Sequence, residues 1–519
     1  MSELLRYRNS AIEAVGSIDA PPWTIARPVP LSSSVERMAD GAGAPRHVGR
    51  ATSERPVTVA VPIHPELRAA LDVLTAWIEY RIAYLSLPGM AVAVVRDQEL
   101  LWSRGFGLAD VERGIPATPG TRYRIGSVTK LFTATAVMQL RDEGKLDLDD
   151  TVKQHLPWFG LAGEGGSPPP DLTIRQLLSH TSGLPREAAF PYWDTLEFPP
   201  IALVREGLLR QSTALEPETQ WKYSNLAMTL AGEIVAAVSG LPYPRYVERR
   251  ILEPLGMAST IVDGIASHDP RLARGYGRRF PRVPRQPREI GDIGGLVPAG
   301  NMASTVEDLA RFAMLQFRAA SASEHPVLCG TTLREMHRIH WLEPGWQAGW
   351  GLGFRIYREE GRTCMGHAGL VPGHAAEVRI LPVEKLAIIV LSNAEDTVPF
   401  AYAQRATLLL LPALAAMDAG KPAAEPDPAL ARYVGRYRNE WGDSEVLLGP
   451  TGLRIIVPIN ADPLEGMGTL VPAAPHVFRI ESSNGFGSPG ELLTFELGAD
   501  GLATSMKVGE HRRHRITEW

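Results

Sequence analysis

Apolar and polar positions follow two different periodicities along this chain, and each predicts a different kind of element. Residues 66–85 repeat apolar side chains at helical spacing, which predicts a helix that ends at Pro88-Gly89. Residues 90–95 and 100–106 are short apolar runs joined by four polar residues, the pattern of a β-hairpin. Residues 131–140 carry no charge, Gly or Pro, which predicts a buried helix.

The middle of the chain is mainly helical in pattern, and strand patterns return after it. Thr305 is a candidate N-cap for a helix over 305–315. Since strands precede and follow the helical region, we expect them to join in one antiparallel sheet with helices on its faces, an α+β fold. The predicted helices are 174–179, 201–210, 226–238 and 401–417, and the predicted later strands are 351–357, 362–367, 374–381 and 386–392.

The two ends of the chain differ in character from this central domain, 63–417. Residues 1–62 are broken by prolines and small residues, and we interpret them as an N-terminal extension. A proline-containing linker, 418–428, precedes residues 429–519, where short strand patterns recur about every ten residues. This spacing predicts a small all-β C-terminal domain, a barrel or a sandwich, which could cover the cleft of the central domain.

Composition narrows the functional classes. The net charge of −5 and the absence of a long basic run give no reason to expect nucleic-acid binding. The chain has no stretch of about 18 apolar residues, so we expect no membrane span. Residues 1–16 are polar and lack the apolar core of a signal peptide, so we expect a cytoplasmic protein. The chain has two cysteines, Cys329 and Cys364, and the sequence does not decide whether they form a disulfide.

Ser127 and Lys130 are the first candidate pair for chemistry. They lie three residues apart where the buried helix begins, so their side chains share one face. A buried, neutral lysine can take the proton of a serine hydroxyl and make it a nucleophile. A capped helix with a surface lysine is the structural alternative, and other parts of the chain must decide.

Tyr223 and Asn225 form a second candidate group, just before the apolar helix 226–238. A cationic neighbour such as Lys130 would lower the pKa of Tyr223 and make it a general base or acid. Asn225 could hold the lysine and a substrate carbonyl. Alternatively, Tyr223 packs against the sheet and Asn225 is the N-cap of the helix.

His367, Gly369 and Leu370 form the third group, at the end of a predicted strand. Glycine lets backbone approach a ligand closely, and a strand edge there can present a backbone N–H to a developing oxyanion. A lone histidine on a strand is more often structural. The polar turn His180-Thr181-Ser182 is interpreted as structural support.

Taken in order, these groups resemble the serine β-lactamase and penicillin-binding-protein superfamily over residues 64–415. The closest branch is the class C-like group, with family VIII carboxylesterases, D-aminopeptidases and DD-peptidases. Ser127-x-x-Lys130, Tyr223-x-Asn225 and His367-x-Gly369 match its three motifs, the last with His in place of Lys. The tail resembles the lipocalin-like domains attached to some of these hydrolases.

The resemblance implies an acyl-enzyme on Ser127, with Lys130 and Tyr223 sharing the proton transfers. It also implies an oxyanion hole from the backbone N–H groups of Ser127 and Leu370, with Asn225, His367 and Gly369 supporting the substrate. A neutral His367 is a poor carboxylate partner, which favours an esterase or a peptidase over a β-lactamase.

Several alternatives stay open at this stage. The expected substrates are small esters or short peptides, linear or containing D-residues, and transfer to an acceptor other than water is a further option. The protein could alternatively have no catalytic activity and act as a binding or scaffold protein with the same fold. No Gly-x-Ser-x-Gly or His-Glu-x-x-His motif is present, so neither an α/β-hydrolase nor a zinc site is expected, and no cofactor is implied. A homo-oligomer is neither required nor excluded.

Overall fold

The structure is a computed structural model that describes residues 64–163, 168–265, 269–288, 290–320, 325–420, 426–482 and 485–519. The predicted extension, 1–62, lies outside the described residues, and so does the centre of the predicted linker, 421–425.

The helices of the described residues come mainly from the centre of the chain. The longer ones are α1 (Pro65–Leu85), α2 (Thr129–Asp142), α3 (Asn225–Ser239), α4 (Val306–Phe317) and α5 (Pro399–Asp418). Shorter α-helices are Val152–His155, Ile174–Ser179, Tyr192–Thr195, Ile201–Leu208, Tyr243–Val247, Glu253–Leu255, Val297–Gly300 and Gly330–Met336. A π-helix spans Glu248–Leu252, and 3₁₀ turns span Gly126–Val128, Gly294–Leu296, Arg318–Ala320, Pro428–Tyr433 and Gly485–Gly487.

The strands fall into a central group and a C-terminal group. The central group is β1 (Gly89–Arg96), β2 (Glu99–Asp110), β3 (Ile115–Pro116), β4 (Tyr123–Arg124), β5 (Ala303–Ser304), β6 (Trp341–Leu342), β7 (Ala348–Trp350), β8 (Arg355–Glu359), β9 (Arg362–Val371), β10 (His374–Leu381) and β11 (Leu386–Ser392). The C-terminal group is β12 (Gly435–Asn439), β13 (Gly442–Gly449), β14 (Gly452–Ile456), β15 (Gly468–Ala474), β16 (Val477–Glu481), β17 (Leu492–Leu497), β18 (Ala503–Val508) and β19 (His511–Ile516).

One sheet joins strands from both ends of the central domain, which confirms the predicted α+β fold. Its order is β3-β2-β1-β11-β10-β9-β8-β7-β6, and β1 pairs antiparallel with β11, with Ala91 opposite Leu391. The small strands β4 and β5 pair separately. The helical region between β4 and β6 therefore forms a layer on the sheet rather than a second domain.

The central strands are buried on both faces, which explains their continuous apolar runs. On β11, Ile389 and Leu391 belong to the core that contains α2, α3 and α4. Ile388 and Val390 point to the opposite core, formed with α1 and α5. The sheet thus separates a layer that contains the Ser127 helix from a layer that does not.

One local prediction and one of the structural alternatives were wrong, and the structure shows why. Residues 351–354 are a turn rather than a strand, because Gly353 at φ +81° lies against Ala134 of α2, and an added Cβ would lie 2.6 Å from the Ala134 side chain. Ser224, not Asn225, caps α3, with its hydroxyl accepting from the Ala227 N–H at 2.9 Å. Thr305 caps α4 as predicted.

The C-terminal strands close into an eight-stranded barrel, β12 to β19, with β12 paired to β19. Its interior is filled by its own side chains, among them Tyr437, Phe478 and Phe495. Closure leaves no unpaired edge, which a sandwich would have retained.

The barrel packs on α1, on the face of the sheet opposite to α2. The indole N–H of Trp77 donates to the carbonyl oxygen of Asn460 at 2.9 Å, and the Tyr80 hydroxyl donates to Asp443 at 3.1 Å. Leu447 and Ile456 of the barrel belong to the same core as α1 and α5. These contacts therefore do not support the expectation that the C-terminal domain covers the cleft of the central domain, because they lie on the other face of the sheet from the Ser127 helix.

Helix α5 is long and apolar enough to cross a membrane by length and composition alone. It packs against α1 and β11, and its side chains at Ala403, Leu410 and Leu414 are buried in the core of the protein. Its apolar character is therefore accounted for by the layer it forms on the sheet.

We expect Trp77→Ala to lower the free energy of unfolding by about 3–5 kcal/mol, since it opens a cavity between α1, Tyr402 and the barrel. Denaturant titration measures this loss. Trp346→Ala is the control, because Trp346 is 76% exposed and its removal should change stability by less than about 0.5 kcal/mol. Equal effects of the two variants would contradict the assigned interface.

Candidate active site

Ser127 lies at the N-terminal end of the helix that the sequence predicts to be buried. It occupies the 3₁₀ turn Gly126–Val128, and α2 continues from Thr129. Ser127 keeps some exposure, whereas Lys130 is fully buried. The turn thus leaves the hydroxyl partly exposed to solvent while the lysine lies in the core, and the positive end of the helix dipole favours negative charge at Ser127.

The side-chain nitrogen of Lys130 lies within hydrogen-bond distance of three oxygens. Its Nζ is 3.0 Å from Ser127 Oγ, 2.8 Å from Asn225 Oδ1 and 2.6 Å from the carbonyl oxygen of Ala299. Burial holds the pKa of Lys130 well below its usual range, because a charged amine loses its solvation there. Lys130 is therefore not the surface lysine of the structural alternative.

Tyr223 contacts both members of this pair. Its hydroxyl is close enough to Ser127 for that residue to lower its pKa, and Lys130 Nζ lies 4.9 Å from the centre of its ring. Contrary to the expectation that Lys130 would lower it, the pKa of Tyr223 is raised, because burial penalises the phenolate more than the neighbouring groups favour it. Tyr223 is therefore protonated at neutral pH.

The strand edge of the third motif lies against the Ser127 turn. Pairing of β9 with β8 ends at Gly366, so the segment from His367 onward has no β8 neighbour. A Cβ on Gly369 would overlap the carbonyl oxygen of Ile125 and lie 3.3 Å from Ser127 N, and a Cβ on Gly126, at φ +50°, would lie 2.7 Å from Leu370 N. The two glycines thus allow the backbone of the Ser127 turn and the backbone at Gly369-Leu370 to lie in close contact.

His367 is buried beside Tyr223, with ring centres 6.1 Å apart. Its Nδ1–H donates to the carbonyl oxygen of Ala368 at 2.5 Å, which leaves Nε2 without a proton in the neutral ring. Burial, and then the nearby Lys130, lower its pKa to about 3. His367 therefore offers the site a hydrogen-bond acceptor and no positive charge.

His180 supports the tyrosine from behind, as the sequence indicated for this turn. Its ring centre lies 4.5 Å from that of Tyr223, and its Nδ1 accepts from the Ser224 N–H at 3.3 Å. It adopts φ +60° at the end of the helix Ile174–Ser179. Burial holds its pKa well below the usual range, so it stays neutral.

Two charged residues that the sequence did not single out also reach the site. Arg186 places its guanidinium 5.0 Å from the centre of the Tyr223 ring, and Glu187 accepts from Asn225 Nδ2 at 2.7 Å. Both directly follow the turn His180–Pro185. Their position next to that turn was the only signal in the sequence. Nothing in the spacing of the residues indicated that Glu187 would bind Asn225, which lies 38 residues further along the chain.

Cys329 and Cys364 are both free thiols. Among the described residues, no three His, Cys, Asp or Glu side chains are grouped so that they could hold a metal ion.

The family model described as Beta-lactamase matches residues 74–411. Beta-lactamase-like protein 2 of Dictyostelium discoideum is 28% identical over 76% of this chain and 75% of its own length. Protein flp of Staphylococcus aureus (strain N315) is 25% identical over 61% of each chain. The chain thus spans less than two thirds of flp, and the match with the Dictyostelium protein extends further.

Solved structures give the same fold. The octameric penicillin-binding protein homologue from Pyrococcus abyssi has a TM-score of 0.57 at 23% identity, over 85% of this chain and 99% of that one. A D-stereospecific amidohydrolase from Streptomyces sp. has a TM-score of 0.52 at 26% identity, over 64% of this chain and 95% of that one. With the family match across the Ser127, Tyr223 and His367 motifs, these likenesses show that the chain belongs to the beta-lactamase family, within the serine β-lactamase and penicillin-binding-protein superfamily of serine hydrolases.

Proposed function

We propose that the protein cleaves ester or amide bonds of small molecules and short peptides through an acyl-enzyme on Ser127. The observation that carries this proposal is the 3.0 Å contact between Ser127 Oγ and a fully buried Lys130 Nζ. A lysine whose pKa is lowered by burial is neutral for a larger share of the time, and only the neutral amine can act as a base.

Acylation then follows from the contacts of three side chains. Lys130 takes the Ser127 proton as Oγ attacks the carbonyl carbon, and the backbone N–H groups of Ser127 and Leu370 stabilise the oxyanion. Tyr223, which stays protonated because its pKa is raised, gives its proton to the leaving group and regains one from Lys130. The serine proton thus ends on the leaving group, and both residues return to their starting states.

Deacylation reverses these roles with a new nucleophile. A water molecule loses a proton toward Lys130 while it attacks the acyl carbon, and Ser127 leaves with a proton supplied by Tyr223 or Lys130. The motif residues do not select water over an alcohol or an amine, so acyl transfer to such acceptors is the second candidate activity. The silent-scaffold alternative is disfavoured because Ser127, Lys130 and Tyr223 are all present and in contact.

The substrate class follows from His367. Burial lowers its pKa to about 3, so near neutral pH it carries no charge and does not pair with a carboxylate as a charged lysine would. This supports esters and amides without an anionic group at that position. The similarity to an amidohydrolase at 26% identity supports keeping amides beside esters.

Ser127→Ala should reduce hydrolysis of p-nitrophenyl esters by more than about 10³-fold, since the nucleophile is gone. A fluorophosphonate probe should label Ser127 in the unaltered protein, as read by peptide mass spectrometry. Ser239→Ala, at the far end of α3, is the control and should keep full activity. Labelling of a different serine would reject the assignment.

Gly369→Ala should lower kcat by about 10²–10³-fold, because the added methyl group pushes the β9 edge away from the Ser127 turn and removes an oxyanion donor. Steady-state kinetics separate this loss from a change in KM. Gly345→Ala is matched, since an added Cβ there has no atom within 4 Å. Normal turnover by Gly369→Ala would refute the oxyanion role of this edge.

His367→Lys should change substrate preference. We expect the ratio of kcat/KM for mono-p-nitrophenyl succinate to that for p-nitrophenyl butyrate to rise by at least about tenfold, since a charge-assisted hydrogen bond contributes about 1.5–3 kcal/mol. His511→Lys, on the exposed end of β19, should leave the ratio unchanged. If His367→Lys is active with an unaltered ratio, this position does not select substrate charge.

A further inference from the structure

We propose that Glu187 is a positioning residue that fixes the Asn225 amide, so that the basic lone pair of Lys130 points at the Ser127 hydroxyl. The inference rests on the proposed role of Lys130 as base. It concerns a residue outside the three motifs, in the segment between the Ser182–Pro185 turn and the helix Tyr192–Thr195.

The carboxylate of Glu187 fixes which way the amide faces. An ionised carboxylate only accepts hydrogen bonds, so the group that contacts its Oε1 at 2.7 Å must be the NH₂ of Asn225. The Asn225 oxygen is then forced toward Lys130, where it lies 2.8 Å from Nζ. Without such a partner, an asparagine amide could present either end to the lysine.

Counting donors on the lysine shows why this matters. A neutral amine has two N–H donors and one lone pair. Two of its three contacts, Asn225 Oδ1 and the carbonyl oxygen of Ala299, can only accept and therefore use both donors. The lone pair is left for the third contact, the Ser127 hydroxyl at 3.0 Å. A reversed amide would instead direct its NH₂ at that lone pair.

Glu187 is itself held in place. The hydroxyl of the fully buried Tyr192 donates to its Oε2 at 2.6 Å. Gln211 donates from its side chain to the Glu187 carbonyl oxygen at 3.2 Å, and the Asn225 N–H donates to the carbonyl oxygen of Arg186 at 2.8 Å. Arg186 contacts the carboxylate at 3.4 Å through one nitrogen. Glu187 therefore has a defined geometry relative to α3.

The negative charge of Glu187 has a second effect that can be measured. It raises the pKa of Lys130 against the larger lowering caused by burial, while Arg186 lowers it further. Because the neutral amine is the active form, kcat/KM rises with pH through the pKa of Lys130. Removing the charge of Glu187 should therefore move this acid limb to lower pH.

The test is the pH profile of kcat/KM for a p-nitrophenyl ester. For Glu187→Gln we expect a plateau about tenfold lower, because glutamine no longer imposes one amide orientation, and an acid limb displaced to lower pH by roughly half a pH unit. Glu233→Gln is the matched control: it makes the same change on α3, where Glu233 pairs with the surface residue Arg205. It should keep the parental profile.

Exchanging the two groups gives a stronger test. In Asn225→Asp, two carboxylates face each other, and activity should fall. When Asn225→Asp is combined with Glu187→Gln, the introduced glutamine can donate to the introduced aspartate. Activity of this double variant should therefore recover at least about fivefold over Asn225→Asp alone, with the acid limb now at higher pH because a carboxylate contacts Lys130.

The outcomes separate the inference from the proposed function. Loss of activity in Glu187→Gln with an unmoved acid limb, or no recovery in the double variant, would overturn the positioning role. A wild-type profile in Glu187→Gln would do the same. Failure of the proposed function looks different, since the fluorophosphonate would then not label Ser127 even in the unaltered protein.

Discussion

Burial of one amine is the constraint on which the rest of this active site depends. Lys130 sits at zero exposure in the core between α2, α3 and the helix Val297–Gly300. A charged lysine is costly there, and the hydrogen-bond partners of its nitrogen are three oxygen atoms, which a neutral amine can satisfy. The fold therefore keeps an amine of lowered pKa directly beneath a partly exposed serine, which is what the proposed role of Lys130 as a base requires.

The other parts of the site are brought to this amine by the sheet and by close backbone packing. Asn225 begins α3 and Tyr223 lies two residues before it, almost a hundred residues after Ser127, and His367 comes from β9. Gly126 and Gly369 allow two backbone segments to approach more closely than any side chain would permit. The arrangement is thus set by the packing of α2 and α3 on one face of the sheet and by the open end of β9.

Much of this could be predicted from the sequence. The apolar runs of β10 and β11 predicted those strands with their observed bounds, and the three motifs identified the residues that meet at Ser127. What failed depended on surroundings that a local pattern does not contain. The pKa of Tyr223 was expected to be lowered by Lys130, but burial raises it and is the largest cause acting on it. Glu187 could not be assigned because its partner is set by how the turn after His180 folds back on α3.

The position of the barrel has a consequence for how such a protein can change over time. The barrel rests on α1, and the helix that follows Ser127 packs on the opposite side of the central sheet. The central sheet therefore separates substitutions on the barrel surface from the candidate active site. The barrel and the layer that contains Ser127 can therefore accumulate substitutions independently of each other.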